Sequence, residues 1–289
     1  MTTSGTEFVA FRRSLARARR VLARDLPWRN HHDPWAILVS EVMLQQTSVA
    51  RVLEPWTRFL DAYPTPAALA AAPLDEVLVH WRGLGYPRRA RNLRLAALAL
   101  VERHGGRVPA STSDLLALPG VGAYTAAAVA SFAFSQPVTV LDTNVGRVLA
   151  RAVANRTLDV SEARDLAQRV RGRTASAPFN QSLLDLGAQY CRARARCETC
   201  PLARACRWRQ EGGPDPAPAS AAVSRAQAPF AGSERELRGR ILAALEGRPG
   251  RGEFEERFAE VEPARLANAL AGLARDGLVD ATRLRLATN

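Results

Sequence analysis

The sequence predicts an all-α protein, because apolar residues recur at helical spacing through most of the first 210 residues. Strand-length alternation does not recur there, and short breaks rich in proline and glycine separate the helical segments. Such breaks include "YPTP" (63–66), "RGLGYP" (82–87) and "LPGVG" (118–122). With 289 residues and 47% hydrophobic side chains, the chain can bury a core in each of two or more domains.

The composition divides the chain into three parts. Residues 1–210 are predicted to form the main helical domain. Residues 211–232 are rich in proline, alanine and serine, which predicts a linker that cannot build a core of its own. Residues 233–289 then resume a helical pattern and are predicted to form a second, smaller domain.

The smaller domain is predicted to be winged-helix-like. Ser233 and Glu236 have the spacing of a capping box at the start of its first helix. The helical patterns cover 233–247, 253–260 and 263–277, and an alternating segment that reads as a hairpin covers 278–288. Winged helices often bind DNA, but this one is electrically neutral, so we expect helix packing or protein contact ahead of DNA binding.

The positive charge is concentrated in the main domain. The formal net charge is +12, and residues 1–210 contain 29 arginines against 16 acidic residues. We therefore expect a polyanionic partner, most simply nucleic acid, although an arginine-rich codon usage is the competing explanation. The aromatic content of 6% disfavours a single-strand binder that stacks bases. All 40 basic residues counted as lysine or arginine are arginine.

The sequence contains no recognisable membrane or secretion signal. It has no run of 18 apolar residues, and its first 20 residues lack an apolar stretch followed by a cleavage site. We expect a soluble, cytoplasmic monomer with no membrane partner, associated with the nucleoid if the source is a prokaryote.

The stretch "ILVSEVMLQQTSVARV" (37–52) predicts a single helix with an unusual carboxylate. Ile37, Leu38 and Leu44 lie three or four positions from Glu41 and share its face. This apolar stripe should pack against the core, where an unpaired charge is costly. Glu41 is therefore a candidate functional residue.

The four cysteines occur within "CRARARCETCPLARAC" (191–206), with the spacing C-x5-C-x2-C-x5-C. Clustered thiols in a cytosolic protein usually bind metal, and four thiolates suit either tetrahedral zinc or a [4Fe–4S] cluster. Zinc ribbons usually pair two C-x2-C knuckles, so the single C-x2-C pair favours the iron–sulfur cluster. The candidate ligands are Cys191, Cys197, Cys200 and Cys206.

Two further motifs lie between Glu41 and the cysteines. In "LLALPGVGAYTAAAVASFAF" (115–134), the glycines at 120 and 122 allow backbone amides to converge above a helix N-terminus, which is a site for a phosphate oxygen. In "VLDTNVGRVLAR" (140–151), Asp142 stands where an extended segment meets a helix. Alone, Asp142 would be interpreted as an N-cap.

Taken in order, "LPGVG", "VLDTNV" and the cysteine loop resemble the helix-hairpin-helix DNA glycosylases of the endonuclease III superfamily. Within it, "LPWR" (26–29), "SEVMLQQT" (40–47), "GLGY" (83–86) and "FNQSLLDLGAQYC" (179–191) resemble the MutY-type adenine DNA glycosylases. The resemblance implies two helical subdomains, a [4Fe–4S] cluster and base-excision repair. The implied reaction is hydrolysis of adenine from double-stranded DNA in which it is mispaired with 8-oxoguanine or guanine.

The resemblance also implies roles for individual residues. Glu41 matches the general acid that protonates N7 of adenine, and burial on an apolar face would keep such an acid protonated. Asp142 matches the carboxylate that stabilises the positive charge on the sugar, as in glycoside hydrolysis. Asn144 matches the residue that orients this aspartate, and Tyr124 matches a tyrosine of the same pocket. The implied DNA contacts are Gln46 and Tyr86 in the base stack, Arg29 and Gln181 at the adenine, and Gly120, Val121 and Gly122 at the phosphate.

Several features depart from the family pattern. Tyr124 stands where bifunctional relatives have a catalytic lysine, so a lysine-dependent lyase step is excluded. The first cysteine gap is x5 where x6 is typical, Pro87 replaces an aromatic residue, and residues 233–289 do not resemble the Nudix-like domain that reads 8-oxoguanine in many relatives. Two alternatives stay open: a thymine or uracil mismatch glycosylase of the same fold, and a non-enzymatic metal-cluster DNA-binding regulator.

Overall fold

A computed structural model describes residues 8–220, 223, 229–247 and 249–279. The regular elements in these ranges are all helical, which confirms the all-α prediction. In chain order the α-helices are α1 Val9–Leu22, α2 Pro34–Leu44, α3 Val49–Ala62, α4 Pro66–Ala71, α5 Leu74–His80, α6 Arg88–His104, α7 Thr112–Leu116, α8 Ala123–Phe132, α9 Thr143–Val148, α10 Val160–Arg171, α11 Ser176–Gln189, α12 Arg207–Glu211, α13 Glu234–Glu246, α14 Arg251–Arg257 and α15 Pro263–Arg275. A π-helical turn, Leu149–Ala154, directly continues α9. Within the described ranges, no helix is long and apolar enough to cross a bilayer.

The chain forms two compact units. The first unit comprises Met1–Ile37, Ala110–Leu116 and Val121–Ala226. Its core is built from buried side chains of α1, α9, α10, α11 and the π-helical turn, among them Leu22, Leu149 and Leu183, and extends to Cys206. Both ends of the cysteine loop are therefore anchored against the same core that carries α9.

The second unit comprises Leu38–Pro109, Ala117–Gly120 and Gln227–Asn289. Its core includes Phe59 and Trp81, whose rings meet edge to face with centroids 5.7 Å apart. Leu69, Leu93 and Leu100 are also fully buried there. The large aromatic side chains fill this core at low conformational cost.

The single helix predicted over 37–52 is interrupted. α2 ends at Leu44 and α3 begins at Val49, and between them Gln46 adopts a left-handed backbone conformation with φ +57°. The apolar periodicity continues through this break, so the pattern did not reveal it. The carbonyl groups that the break leaves without helical partners are satisfied from elsewhere, as described below.

The segment predicted to be a linker packs on the first unit over part of its length. Asp215 accepts two hydrogen bonds from the buried guanidinium of Arg151, at 2.8 and 2.6 Å. Ala217 is fully buried, and the Ser220 hydroxyl accepts a hydrogen bond from the amide of Leu158. The segment packs on the unit and is not a solvated linker there, because the buried guanidinium of Arg151 requires the counter-charge that Asp215 supplies.

The C-terminal helices belong to the second unit. Ser233 caps α13 by accepting a hydrogen bond from the amide of Glu236, as the sequence predicts. α14 is found at Arg251–Arg257 where 253–260 was expected, because Gly250 is in the extended conformation that opens the helix earlier. The hairpin predicted over 278–288 lies almost wholly outside the described residues.

Candidate active site and cysteine loop

Glu41 lies on α2 in the second unit, and only 5% of the residue is exposed. Ile37 and Leu38, on the same face, are 3% and 0% exposed, and Leu44 is half-buried, so the predicted stripe faces the core except at its C-terminal end. Burial among apolar groups penalises an ionised carboxylate and favours its protonated form. Glu41 is therefore a buried carboxyl group on a helix that packs in the core.

Arg89, from the first turn of α6, holds the C-terminal end of α2. Its Nη1 donates to the carbonyl oxygens of Val42, Met43 and Gln45 at 3.0, 2.7 and 2.6 Å. Its Nη2 donates to the carbonyl oxygens of Leu84 and Gly85, both at 3.0 Å, and to the hydroxyl of Thr47 at 2.9 Å. One guanidinium therefore satisfies the open end of the helix and joins it to the loop around "GLGY".

This concentration of acceptors explains how Arg89 is retained in the interior. Burial lowers the pKa of Arg89 to about 10, so the side chain stays charged at neutral pH. Rings of Trp81 and Tyr86 add cation–π contacts, each 5.4 Å from the guanidinium carbon.

The two residues predicted to enter the DNA stack both have left-handed backbones. Gln46 has φ +57° and is exposed, and Tyr86 has φ +49° and is half-buried. Left-handed conformations are costly for residues other than glycine and concentrate at functional sites. Each residue borders a group that Arg89 binds, so one side chain helps to hold both loops in shape.

Asp142 is the N-cap of α9 in the first unit. Its Oδ1 accepts from the amide of Val145 at 2.8 Å, and its Oδ2 accepts from Nδ2 of Asn144 at 2.7 Å. Burial raises the pKa of Asp142, and these two hydrogen bonds and the charge of Arg147 act against that increase. The residue therefore caps its helix and also presents an oriented carboxylate, so the two interpretations of Asp142 are compatible.

Arg147 connects this aspartate with the cysteine loop. Its Nη2 donates to Oδ1 of Asn144 at 2.5 Å, and its Nε donates to the carbonyl oxygen of Cys191 at 2.7 Å. Gly187 on α11 packs against the backbone of Asn144, where a side chain would not fit. A continuous set of contacts thus runs from Asp142 to the first cysteine.

The predicted hairpin forms between α7 and α8. Gly120 has φ +76°, Val121 is buried, and Gly122 is the N-cap of α8. Tyr124, in the first turn of α8, lines an open cleft of about 480 Å³ together with Leu141. Gly120 therefore adopts the left-handed conformation for which glycine is favoured in a tight turn.

Arg29 and Gln181, which the resemblance assigns to the adenine pocket, lie in the first unit. Arg29 forms a bidentate pair with Asp185 on α11, at 2.6 and 2.8 Å, and Arg24 donates to the same carboxylate at 2.5 Å. Asp185 is 1% exposed, so this pairing fixes the Arg29 side chain firmly. Gln181 lies on the same helix and is half-buried.

The cysteine loop encloses a small pocket in the first unit. No disulfide joins the cysteines, and all four line this pocket with Leu202 and Trp208. In the described ranges, no three histidine, cysteine or acidic side chains converge as ligands of a single metal ion. Burial raises the pKa of Cys191 to about 11, and burial also raises the pKa of Cys200 and Cys206. The pocket is lined by the candidate ligands Cys191, Cys197, Cys200 and Cys206.

Arg151 is the main support of this loop. The residue is 1% exposed, and its Nη1 and Nη2 donate to the carbonyl oxygens of Arg192 and Ala193 at 2.6 and 3.0 Å. Its Nη1 also lies 3.5 Å from the sulfur of Cys191. The loop conformation therefore depends on a buried charge that Asp215 neutralises.

Several residues of this arrangement were not identified from the sequence, among them Arg89, Arg147, Arg151 and Asp215. Arg147 could have been found, because it stands three positions after Asn144 on the same helix. Arg89, Arg151 and Asp215 form contacts between distant segments, and nothing local marks them.

Comparisons with known proteins found one matching family model and several similar proteins. Residues 39–171 match the family model of the HhH-GPD superfamily base excision DNA repair protein. The adenine DNA glycosylase of Mycolicibacterium smegmatis is 42% identical over 267 residues, which cover 90% of this chain and 89% of that protein.

Two solved structures are also similar. A thermostable thymine-DNA glycosylase superposes with a TM-score of 0.65 at 28% identity, over 71% of this chain and 97% of that one. A trapped complex of endonuclease III covalently bound to DNA superposes with a TM-score of 0.61 at 28% identity, over 70% of this chain and 96% of that one.

Proposed function

Because this chain belongs to the adenine DNA glycosylases of the HhH-GPD superfamily, we propose that it excises adenine from mismatches with 8-oxoguanine or guanine. It is a base-excision repair enzyme that hydrolyses an N-glycosidic bond, and its partner is double-stranded DNA. The observation that carries the proposed chemistry is Glu41, a carboxyl group that is 5% exposed on an apolar helix face. We further propose that the enzyme acts as a monomer in the cytoplasm.

Glu41 supplies the proton in the proposed mechanism. Adenine is a poor leaving group, and protonation of N7 allows it to depart as a neutral base. The bond between C1′ of the sugar and N9 of the base breaks, and the electron pair stays with adenine. A buried carboxyl group suits this step, because its surroundings favour the protonated form until the base accepts the proton.

Asp142 acts on the sugar. Bond cleavage leaves positive charge at C1′, and an ionised carboxylate stabilises or traps it until water adds. The water loses a proton, which restores the acid form of Glu41. The amides of Val145 and Asn144 orient the carboxylate of Asp142 and favour its ionised form.

The remaining residues act on the DNA. The target adenine must leave the base stack, and we assign Gln46 and Tyr86 to the space beside it. Their left-handed backbones support this assignment, since such strain is maintained only where neighbours enforce it. The hairpin Gly120, Val121 and Gly122 holds a backbone phosphate, and Tyr124, Arg29 and Gln181 contact the extruded nucleotide.

The enzyme is monofunctional. A lyase step of the usual kind requires a lysine amine that forms a Schiff base with the sugar, and the sequence contains no lysine. Base release should therefore leave the DNA strand unbroken until alkali is added.

We assign a [4Fe–4S] cluster to the cysteine loop. Four cysteines around one pocket suit either a zinc ion or a cluster, and their spacing favours the cluster. When bound, the cluster would hold the loop in a rigid conformation and present its arginines to DNA phosphate. Cys191, Cys197, Cys200 and Cys206 would be its ligands.

A panel of duplexes tests the substrate assignment. Purified protein is incubated with duplexes containing A:8-oxoG, A:G, A:T, T:G and U:G, and strand scission is measured with and without alkali. We expect alkali-dependent scission at A:8-oxoG and A:G. Scission at T:G or U:G alone would show instead a thymine or uracil glycosylase.

A Glu41→Gln variant tests the mechanism. A general acid typically contributes about 100- to 10,000-fold to a rate, so excision should fall at least 100-fold while mismatch binding is retained. A non-enzymatic regulator would tolerate this substitution, and undiminished excision would reject Glu41 as the acid.

A further inference from the structure

The C-terminal helices contact the "GLGY" loop at several points. Arg82 forms an ion pair with Glu246 at the end of α13, and Arg88 lies 3.4 Å from the carboxylate of Asp276. These contacts flank the loop on both sides of Tyr86. All of these groups lie within the second unit.

Tyr86 itself is held by a C-terminal residue. Nη1 of Arg235, on α13, donates to the Tyr86 hydroxyl at 2.7 Å, and its guanidinium carbon lies 5.8 Å from the ring centroid. Arg89, which is buried, contacts the same ring, and its guanidinium carbon lies 5.4 Å from the ring centroid. The aromatic ring is therefore contacted by one arginine of the main domain and by one arginine of the C-terminal helices.

These contacts help to stabilise the left-handed backbone conformation of Tyr86. A bulky residue with φ +49° is unfavourable unless its surroundings enforce the conformation. A charge-assisted hydrogen bond and a cation–π contact from Arg235 add such enforcement from the C-terminal helices. Without them, the ring would gain freedom that DNA binding must then remove.

We infer that residues 233–279 act as a positioning module for Tyr86 and that Arg235 is its positioning residue in mismatch recognition. This inference rests on the proposed function, because it requires that Tyr86 enters the DNA. Residues 233–279 contain eight arginines and nine acidic residues, so the module contributes placement of a side chain more than attraction to the polyanion. Mismatch recognition depends on it, whereas binding to undamaged DNA does not.

A double-mutant cycle on the full chain tests the inference. Arg235→Gln, Tyr86→Phe and the combined variant are compared in single-turnover excision and in Kd for the A:8-oxoG duplex. Both single substitutions remove the same hydrogen bond, so each should weaken mismatch binding about tenfold. Arg235→Gln also removes the cation–π contact, so the combined variant should be no worse than Arg235→Gln. Kd for a fully matched duplex should be unchanged.

Arg251→Gln is the matched control, because it removes one positive charge of the same module from an exposed pair with Glu255. Melting temperatures of all variants are measured to detect poor folding. If Arg235→Gln folds poorly, Tyr86→Phe still tests the hydrogen bond, because it retains both the aromatic ring and Arg235. The inference is overturned if Arg235→Gln behaves like Arg251→Gln, or if the two losses multiply in the combined variant. A wild-type chain that releases no adenine would overturn the proposed function first, and this inference with it.

Discussion

Gly187 lies so close to Asn144 that a Cβ atom at the glycine would be 2.6 Å from both Cβ and the carbonyl oxygen of Asn144. Gly187→Ala must therefore separate α9 from α11. We expect a loss of about 3 kcal/mol in the free energy of unfolding, which outweighs the higher helix propensity of alanine. Excision should also fall, because Asn144 orients Asp142. Denaturant unfolding and single-turnover excision measure the two effects.

Gly239→Ala is the matched control for this substitution. Gly239 lies within α13, and a Cβ atom there would meet nothing within 4 Å. It should increase the free energy of unfolding by about 1 kcal/mol and leave excision unchanged. Equal effects of the two substitutions would show that α9 and α11 do not pack tightly at Gly187.

Asn144→Leu should shift the pH dependence of excision. The folded pKa of Asp142 is already raised by burial, and the substitution removes a hydrogen bond that favours the carboxylate. The carboxylate form is required, so the rate falls as pH decreases through this pKa. The acid limb of the pH–rate profile should therefore move to higher pH in the variant.

The same shift has a consequence for stability. With a folded pKa above the ordinary value of 3.8, the folded state binds the Asp142 proton more tightly than the unfolded state does. The unfolding free energy due to this group therefore decreases as pH rises from 3.8 through the folded pKa, and more so in Asn144→Leu. Gln136→Ala is the control, because it also removes a side-chain amide hydrogen bond, here to the carbonyl oxygen of Ala110. It should leave the pH dependence of both excision and stability unchanged.

Local patterns in the sequence predict most of the framework. The helices, the hairpin glycines and the cysteine loop are each encoded within about 20 consecutive residues, where periodicity, turn residues and ligand spacing act. The break at Gln46 escaped prediction because its stabilising partner, Arg89, is more than 40 positions away. The docking of 212–220 escaped for the same reason, since Asp215 and Arg151 are 64 positions apart.

The residues of the candidate site also differ in whether local sequence patterns mark them. Glu41 and Asp142 stand out from the sequence as a carboxylate on an apolar face and a helix cap, and the family resemblance supplies their chemistry. Arg89 and Arg151, which hold their surroundings, have no local signature, because an arginine in a chain with 40 of them carries little information. Only the folded contacts distinguish these two from the others, whereas Arg147 is marked by its position three residues after Asn144.

Arg151→Met should loosen the cysteine loop. The substitution keeps the apolar bulk but leaves Asp215 and two loop carbonyls without their donor. Because the side chain of Asp215 is 29% exposed, the cost should be about 3 kcal/mol, the lower limit for breaking a fully buried ion pair from one side. We expect a lower unfolding free energy and less iron per chain, measured by denaturation and metal analysis. Arg207→Met, at an exposed pair with Glu211, should change stability by less than about 1 kcal/mol and leave the iron content unchanged.

Arg89→Lys should impair both stability and excision, although it conserves charge. An ammonium group has three donors at one point, so it cannot reach acceptors at both the end of α2 and the loop at Leu84. Several buried carbonyls would be left unsatisfied, at about 1–3 kcal/mol each. Excision should fall because the end of α2 carries Glu41. Arg103 is exposed on the same helix, so Arg103→Lys should change the free energy of unfolding by less than about 0.5 kcal/mol. Equal unfolding curves for Arg89→Lys and Arg103→Lys would reject the bridging role of Arg89.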